Sequence, residues 1–122
     1  MNTVLMLAAL AEAGTGVILL VYPPIVVRLL FATEILGAGV NMSRLAGIAL
    51  IGLGAACWPG ADTRRAFYGM VTYSLLAMLF LIYIGVRSEG VGLLLWPAVV
   101  AHATLIVLLG RARLKRRKSP VI

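Results

Sequence analysis

The sequence predicts an all-α fold: an integral membrane four-helix bundle with an interfacial or re-entrant segment between helices 1 and 2. Three observations predict it. Of 122 residues 62% are apolar, with a mean hydropathy of +1.06, well above the roughly 45–50% apolar usage of soluble domains. Charged side chains number only 11 Lys and Arg and 4 Asp and Glu, too few to coat a water-facing surface, which is about 25–35% charged. Four apolar windows, each long enough to cross about 30 Å of hydrocarbon at about 1.5 Å per residue, are separated by turn-forming clusters.

Residues 1–110 form a single transmembrane domain, with helices at about 3–22, 38–58, 66–86 and 91–110, and residues 111–122 form a basic cytoplasmic tail. The first window carries one charge, Glu12, and ends at Pro23-Pro24. It lacks the basic n-region of a secretory signal, since no Lys or Arg precedes Arg28, so it is read as a spanning helix. Residues 25–36 are too short to cross once the prolines have broken the chain, yet apolar apart from Arg28, Thr33 and Glu34. Such a segment lies in the interface or folds back against the bundle as a half-helix. The second window lies within residues 35–58 and closes at Trp58-Pro59-Gly60-Ala61-Asp62. The third closes at Arg87-Ser88-Glu89-Gly90, and the fourth at the basic tail. Proline and glycine clusters are tolerated at headgroup level and costly within lipid.

Cation placement gives the orientation. With the amino terminus inside, eight cations fall on the cytoplasmic side (Arg64, Arg65 and six in the tail) and three outside (Arg28, Arg87 and Arg44), which places both termini in the cytoplasm of a bacterial inner membrane. The tail residues Arg111, Arg113, Lys115, Arg116, Arg117 and Lys118 fix topology and attract anionic lipid headgroups. They form a local run without interleaved aromatics, so nucleic acid is not the expected partner.

Small residues mark close helix approach, because lipid supplies no hydrophobic drive between helices. Ala8, Glu12 and Gly16 share one face of the first helix; Gly47 and Gly54 lie on one face of the second, beside Ala49, Gly52 and Ala56. Packing within one bundle is the plain reading, and a homo-oligomer or a larger membrane protein is the expected partner. Trp58-Pro59 and Trp96-Pro97 recur 38 residues apart, but their flanks do not match, so no duplication is read from them. Pro97 is expected to allow a kink in the outer turn of the fourth helix.

Four polar residues are expected to form a buried cluster: Glu12, Arg44, His102 and Tyr73. Glu12 lies near the middle of its window, where an ionised carboxylate costs about 2.5–3.5 kcal/mol on insertion scales. It therefore has a cationic partner or carries a proton. Arg44 is the candidate partner if the second helix begins near Leu36, through a bidentate pair, with Asn41 alongside. His102 is near mid-depth, and Tyr73 brings a hydroxyl toward the interior. A proton relay, a haem or quinone site and a helix-to-helix hydrogen bond are all open to a lone membrane histidine, although with a single His in the chain two histidine axial ligands could come only from two subunits. Glu12 and His102 alone are short of a metal ligand set, and no metal or other cofactor is expected. No serine-histidine-acid trio, carboxylate pair or phosphate-binding glycine loop is present, so an enzyme is not expected.

Ala11-Glu12-Ala13-Gly14-Thr15, in the first of four helices of so short a chain, resembles the small multidrug resistance exporters. That resemblance implies a first-helix glutamate that binds protons and cationic drugs within a dimer. Arg44-Leu45-Ala46-Gly47 followed by Gly52 and Gly54 looks like the DoxX-like group of small bacterial membrane proteins. That likeness implies a four-helix bundle with an accessory role beside redox or transport partners. The expected function is accordingly a non-enzymatic accessory or scaffold subunit of a membrane complex; the alternative is a small proton-coupled transporter using Glu12.

Overall fold

The computed structural model describes residues 2–87 and 91–118, which form five helices: α1 (Asn2–Val21), α2 (Pro23–Phe31), α3 (Ala38–Ala56), α4 (Thr63–Arg87) and α5 (Leu95–Lys118). No strand occurs among the described residues. Four of the helices, α1, α3, α4 and α5, are long and apolar enough to cross a membrane. Ser88, Glu89 and Gly90, part of the turn expected after the third window, lie outside the described residues, as do residues 119–122 of the tail.

Two boundaries differ from those read off hydropathy. The short segment after Pro23-Pro24 is a helix of 9 residues, with the prolines in its first turn, where a missing amide costs nothing. It stops at Ala32, whose φ of 50° is left-handed and whose N–H caps the Arg28 carbonyl. The last helix begins at Leu95 rather than near residue 91 and runs without a break into the basic segment as far as Lys118. Pro97 therefore occupies the opening turn of α5, where its ring obstructs no preceding carbonyl, and the kink expected from it has no place to form.

The helices associate as two pairs. α1 packs most extensively on α3, and α4 on α5, whereas the chain neighbours α3 and α4 barely touch. The α1–α3 seam is glycine against backbone: Gly47 lies on Gly16, Leu19 and Leu20, and Gly54 on Ala9 and Ala13. A methyl group built on Gly47 would stand 2.5 Å from the Gly16 carbonyl oxygen, closer than carbon ever approaches oxygen without bonding. Of the stripe of Ala8, Glu12 and Gly16, only Gly16 lies in this seam, where Ala9 and Ala13 face Gly54; Ala8 packs into the core instead.

Two core clusters sit at opposite ends. One joins Leu5 and Ala8 of α1 to Cys57, Phe67, Met70 and Leu109. It brings together the start of α1, the end of α3, the start of α4 and the late apolar part of α5. The other joins Leu81, Leu95 and Val99, with Phe31 of α2 packed against them. Here α2 is tied down by main-chain bonds: the Gly92 N–H donates to the Leu30 carbonyl at 3.1 Å and the Leu94 N–H to the Leu29 carbonyl at 2.8 Å. Gly92 presses so closely on Leu29 that no side chain would fit.

Candidate functional site

Between the two helix pairs lies a cavity of about 900 Å³ to which all five helices contribute. Its position follows from the pairing. One end of the molecule is filled by the Leu5–Phe67–Leu109 cluster, but toward the other end the α1–α3 and α4–α5 pairs meet only sparsely. α2 folds across that gap, contributing Ile25, Val26, Leu29, Leu30 and Phe31 to the wall. Leu50 of α3, Phe80 and Leu81 of α4, and Pro97 and Ala98 of α5 add further apolar surface.

Three polar side chains, Glu12, Tyr73 and His102, share this wall, and Thr15 lies beside them. Glu12 is only 9% exposed. Tyr73 shares this part of the wall with Glu12, and no hydrogen bond closes between the two side chains. On its other side the Tyr73 ring meets His102 edge to face, with centroids 5.8 Å apart and an interplanar angle of 74°. Tyr73 therefore stands between an acid and a base. Thr15 turns its hydroxyl back to the Ala11 carbonyl at 2.9 Å and so leaves the acid alone.

Arg44 does not join them. It is exposed on α3, and the ion pairs among the described residues are Arg28 with Glu34 at 3.3 Å and Arg65 with Asp62 at 3.0 Å. The α1–α3 register explains why. With Gly47 beside Leu19 and Leu20, and Gly54 beside Ala9 and Ala13, Glu12 is level with the stretch around Leu53, whereas Arg44 is level with the last turn of α1. Nine helical residues separate those levels, about 14 Å along the axis, beyond the reach of an arginine side chain. The sequence left the start of α3 open; the structure puts it at Ala38, but the antiparallel register, not the start, governs the distance.

Among the described residues no three His, Cys, Asp or Glu side chains converge to hold a metal ion. Cys57 is buried in the core cluster and free. Ser74 is fully buried in α4, and its hydroxyl has no partner among the described residues. The tail cations divide. Arg113 is half-buried and lies over the rings of Phe67 and Tyr68, whereas Arg111, Lys115, Arg116, Arg117 and Lys118 are exposed along the end of α5.

Sequence reading missed the contribution of α2 to the cavity. Its signal was present in the apolar run too short to span, but nothing in the sequence says which gap such a helix covers. No protein-family model, curated protein or solved structure matches the chain.

Proposed function

We propose that this chain is a small, non-enzymatic integral membrane protein that acts as an accessory subunit of a membrane assembly by holding a mostly apolar small molecule in its cavity. The polar head of that molecule rests on Glu12, Tyr73 and His102. One observation carries the reading: an otherwise apolar cavity, roofed by a helix too short to span, has an acid, a phenol and an imidazole on one part of its wall. Ligand sites are concave, mostly apolar and furnished with a few convergent polar groups, at about 300–1,000 Å³.

The membrane reading is supported by the surface. The chain exposes 7999 Å², against about 6,300 Å² for a compact soluble protein of this mass. Leu7, Val21, Leu76 and Val100 are among the many large apolar side chains left uncovered. Helices this greasy on their outer faces are at home in hydrocarbon. Arg64 and Arg65 of α4 and the cations of α5 gather at the filled end of the molecule, with Arg87 alone of these two helices' cations at the other end, which supports a cytoplasmic position for the filled end. The DoxX-like resemblance favours a bacterial inner membrane.

The test is thermal unfolding of the purified protein in detergent, with a short-tailed benzoquinone or a lipophilic alkylamine added. A ligand at 100 times its Kd stabilises by about 2.7 kcal/mol, a clear rise in Tm. Ala77→Phe, which fills the cavity from α4 and keeps every polar group, abolishes that rise. A wild type indifferent to both probes, or a rise that survives Ala77→Phe, overturns the proposal.

A second reading is favoured by the state of Glu12, a buried carboxyl with no cation within 4 Å among the described residues. It is proton-coupled transport, with Glu12 exchanging a proton for substrate, as the resemblance to the exporters implies. A pH-dependent alkylamine flux into proteoliposomes that disappears in Glu12→Gln supports it. Absence of flux in both forms leaves the accessory role.

A further inference from the structure

We infer that Arg64, Arg113, Arg116 and Arg117 form a discrete site for the phosphate of an anionic lipid headgroup, an inference that rests on the membrane reading above. Among the described residues, these four side chains line a shallow, open concavity of about 230 Å³ at the basic end of the molecule. They come from two helices. Arg64 stands in the first turn of α4; Arg113, Arg116 and Arg117 stand at i, i+3 and i+4 near the end of α5, which places them on one face. The same spacing turns Arg111, Lys115 and Lys118 to the far side. A run of six cations that reads as one diffuse charge is thus divided, and half of it is recruited to a fourth arginine 49 residues earlier in the chain.

The site has a built floor. The Arg113 guanidinium lies 4.7 Å from the Phe67 ring centroid and 4.8 Å from that of Tyr68, and one of its N–H groups donates to the Tyr68 hydroxyl at 3.0 Å. Phe67 is itself buried in the core cluster, so the platform is fixed before any ligand arrives. Arg64 lies over the other part of Tyr68, 6.0 Å from its centroid. Cation–π stacking holds a guanidinium plane while leaving most of its five donors free, and a planar fork matches two phosphate oxygens.

The charge at this site has no internal answer. Among the described residues no carboxylate lies within 4 Å of any of the four, because Asp62, the acid nearest Arg64 in sequence, is taken by Arg65. Four like charges around one small concavity repel until an anion enters. The site also lies where the apolar run of α5 gives way to its cations, just past the buried Leu109. With the helices spanning a bilayer as proposed, that is the level of the lipid phosphates, and acyl chains would run down the uncovered apolar flanks.

The experiment is native mass spectrometry of the full chain in non-ionic detergent, titrated with dioleoylphosphatidylglycerol, dioleoylphosphatidylcholine or inorganic phosphate. Two charge-matched double variants are compared, both at exposed positions: Arg116→Gln with Arg117→Gln in the site, and Arg111→Gln with Lys115→Gln outside it. The wild type retains one phosphatidylglycerol per chain; the site variant binds it about thirtyfold more weakly, and the outside variant does so nearly as well as wild type. Equal loss in the two variants, or equal retention of the zwitterionic lipid, overturns the inference. Displacement by inorganic phosphate at lipid-like concentrations assigns the arginines to a free ion instead and overturns it too. Release of the chain from cell membranes by alkaline carbonate is a separate failure: it sinks the membrane reading, and this inference with it.

Discussion

Gly47→Ala and Gly52→Ala make the same chemical change on the same helix and should have opposite consequences. A methyl at Gly52 meets nothing within 4 Å, whereas one at Gly47 meets the Gly16 carbonyl oxygen at 2.5 Å, the Leu20 nitrogen at 2.9 Å and Leu19 Cβ at 3.0 Å. Two of those neighbours are main chain and cannot rotate away, so relief requires α1 and α3 to separate by about 0.5–1 Å, a gap that forfeits a quarter to a half of each pairwise attraction along the seam. Overpacking of this kind costs about 1–3 kcal/mol. Both variants gain about the same from replacing a helical glycine, up to about 1 kcal/mol, so the difference between them isolates the seam: Gly47→Ala is expected to be less stable than Gly52→Ala by about 1–3 kcal/mol. Reversible unfolding in mixed micelles, followed by the fluorescence of Trp58 and Trp96, measures it. Equal stabilities, or a less stable Gly52→Ala, would refute the α1–α3 pairing and the Arg44 placement that depends on it.

Two further outcomes use the same assay. Ser74→Ala removes a fully buried hydroxyl that has no partner among the described residues, so it should be neutral or stabilise by up to about 1 kcal/mol; a loss above that size would mean the hydroxyl is bonded. Glu12→Gln and Arg44→Gln, about 14 Å apart along the bundle by register, should change stability additively to within about 0.5 kcal/mol. A double variant markedly more stable than the sum of the singles would show that the two side chains meet.

Hydropathy alone carries the four long helices, because spanning length and apolar composition are properties of a single segment. Glu12, Tyr73 and His102 are also legible as interior candidates, since each lies in the middle part of its window. What the sequence does not carry is anything that depends on how segments meet. Arg44 looked like a partner for Glu12 because both lie in apolar windows; only the antiparallel glycine seam shows that they sit at different levels. The cavity arises because α3 and α4, joined by a short turn, nonetheless pair with α1 and α5 rather than with each other. No periodicity encodes that choice. The start of α5 differs from the hydropathy reading for a local reason: residues 91–94 are apolar, yet the amides of Gly92 and Leu94 serve α2 instead of a helix.

That junction has a consequence for how the protein tolerates change. The bonds from Gly92 and Leu94 to Leu30 and Leu29 run through peptide groups alone, so the latch does not depend on the side chains at positions 29, 30 and 94, provided that position 94 is not proline. Only position 92 is held to a single choice, since any β-carbon there would collide with the Leu29 carbonyl. The wall that α2 lends the cavity can thus be reshaped, residue by residue, while its fastening stays untouched.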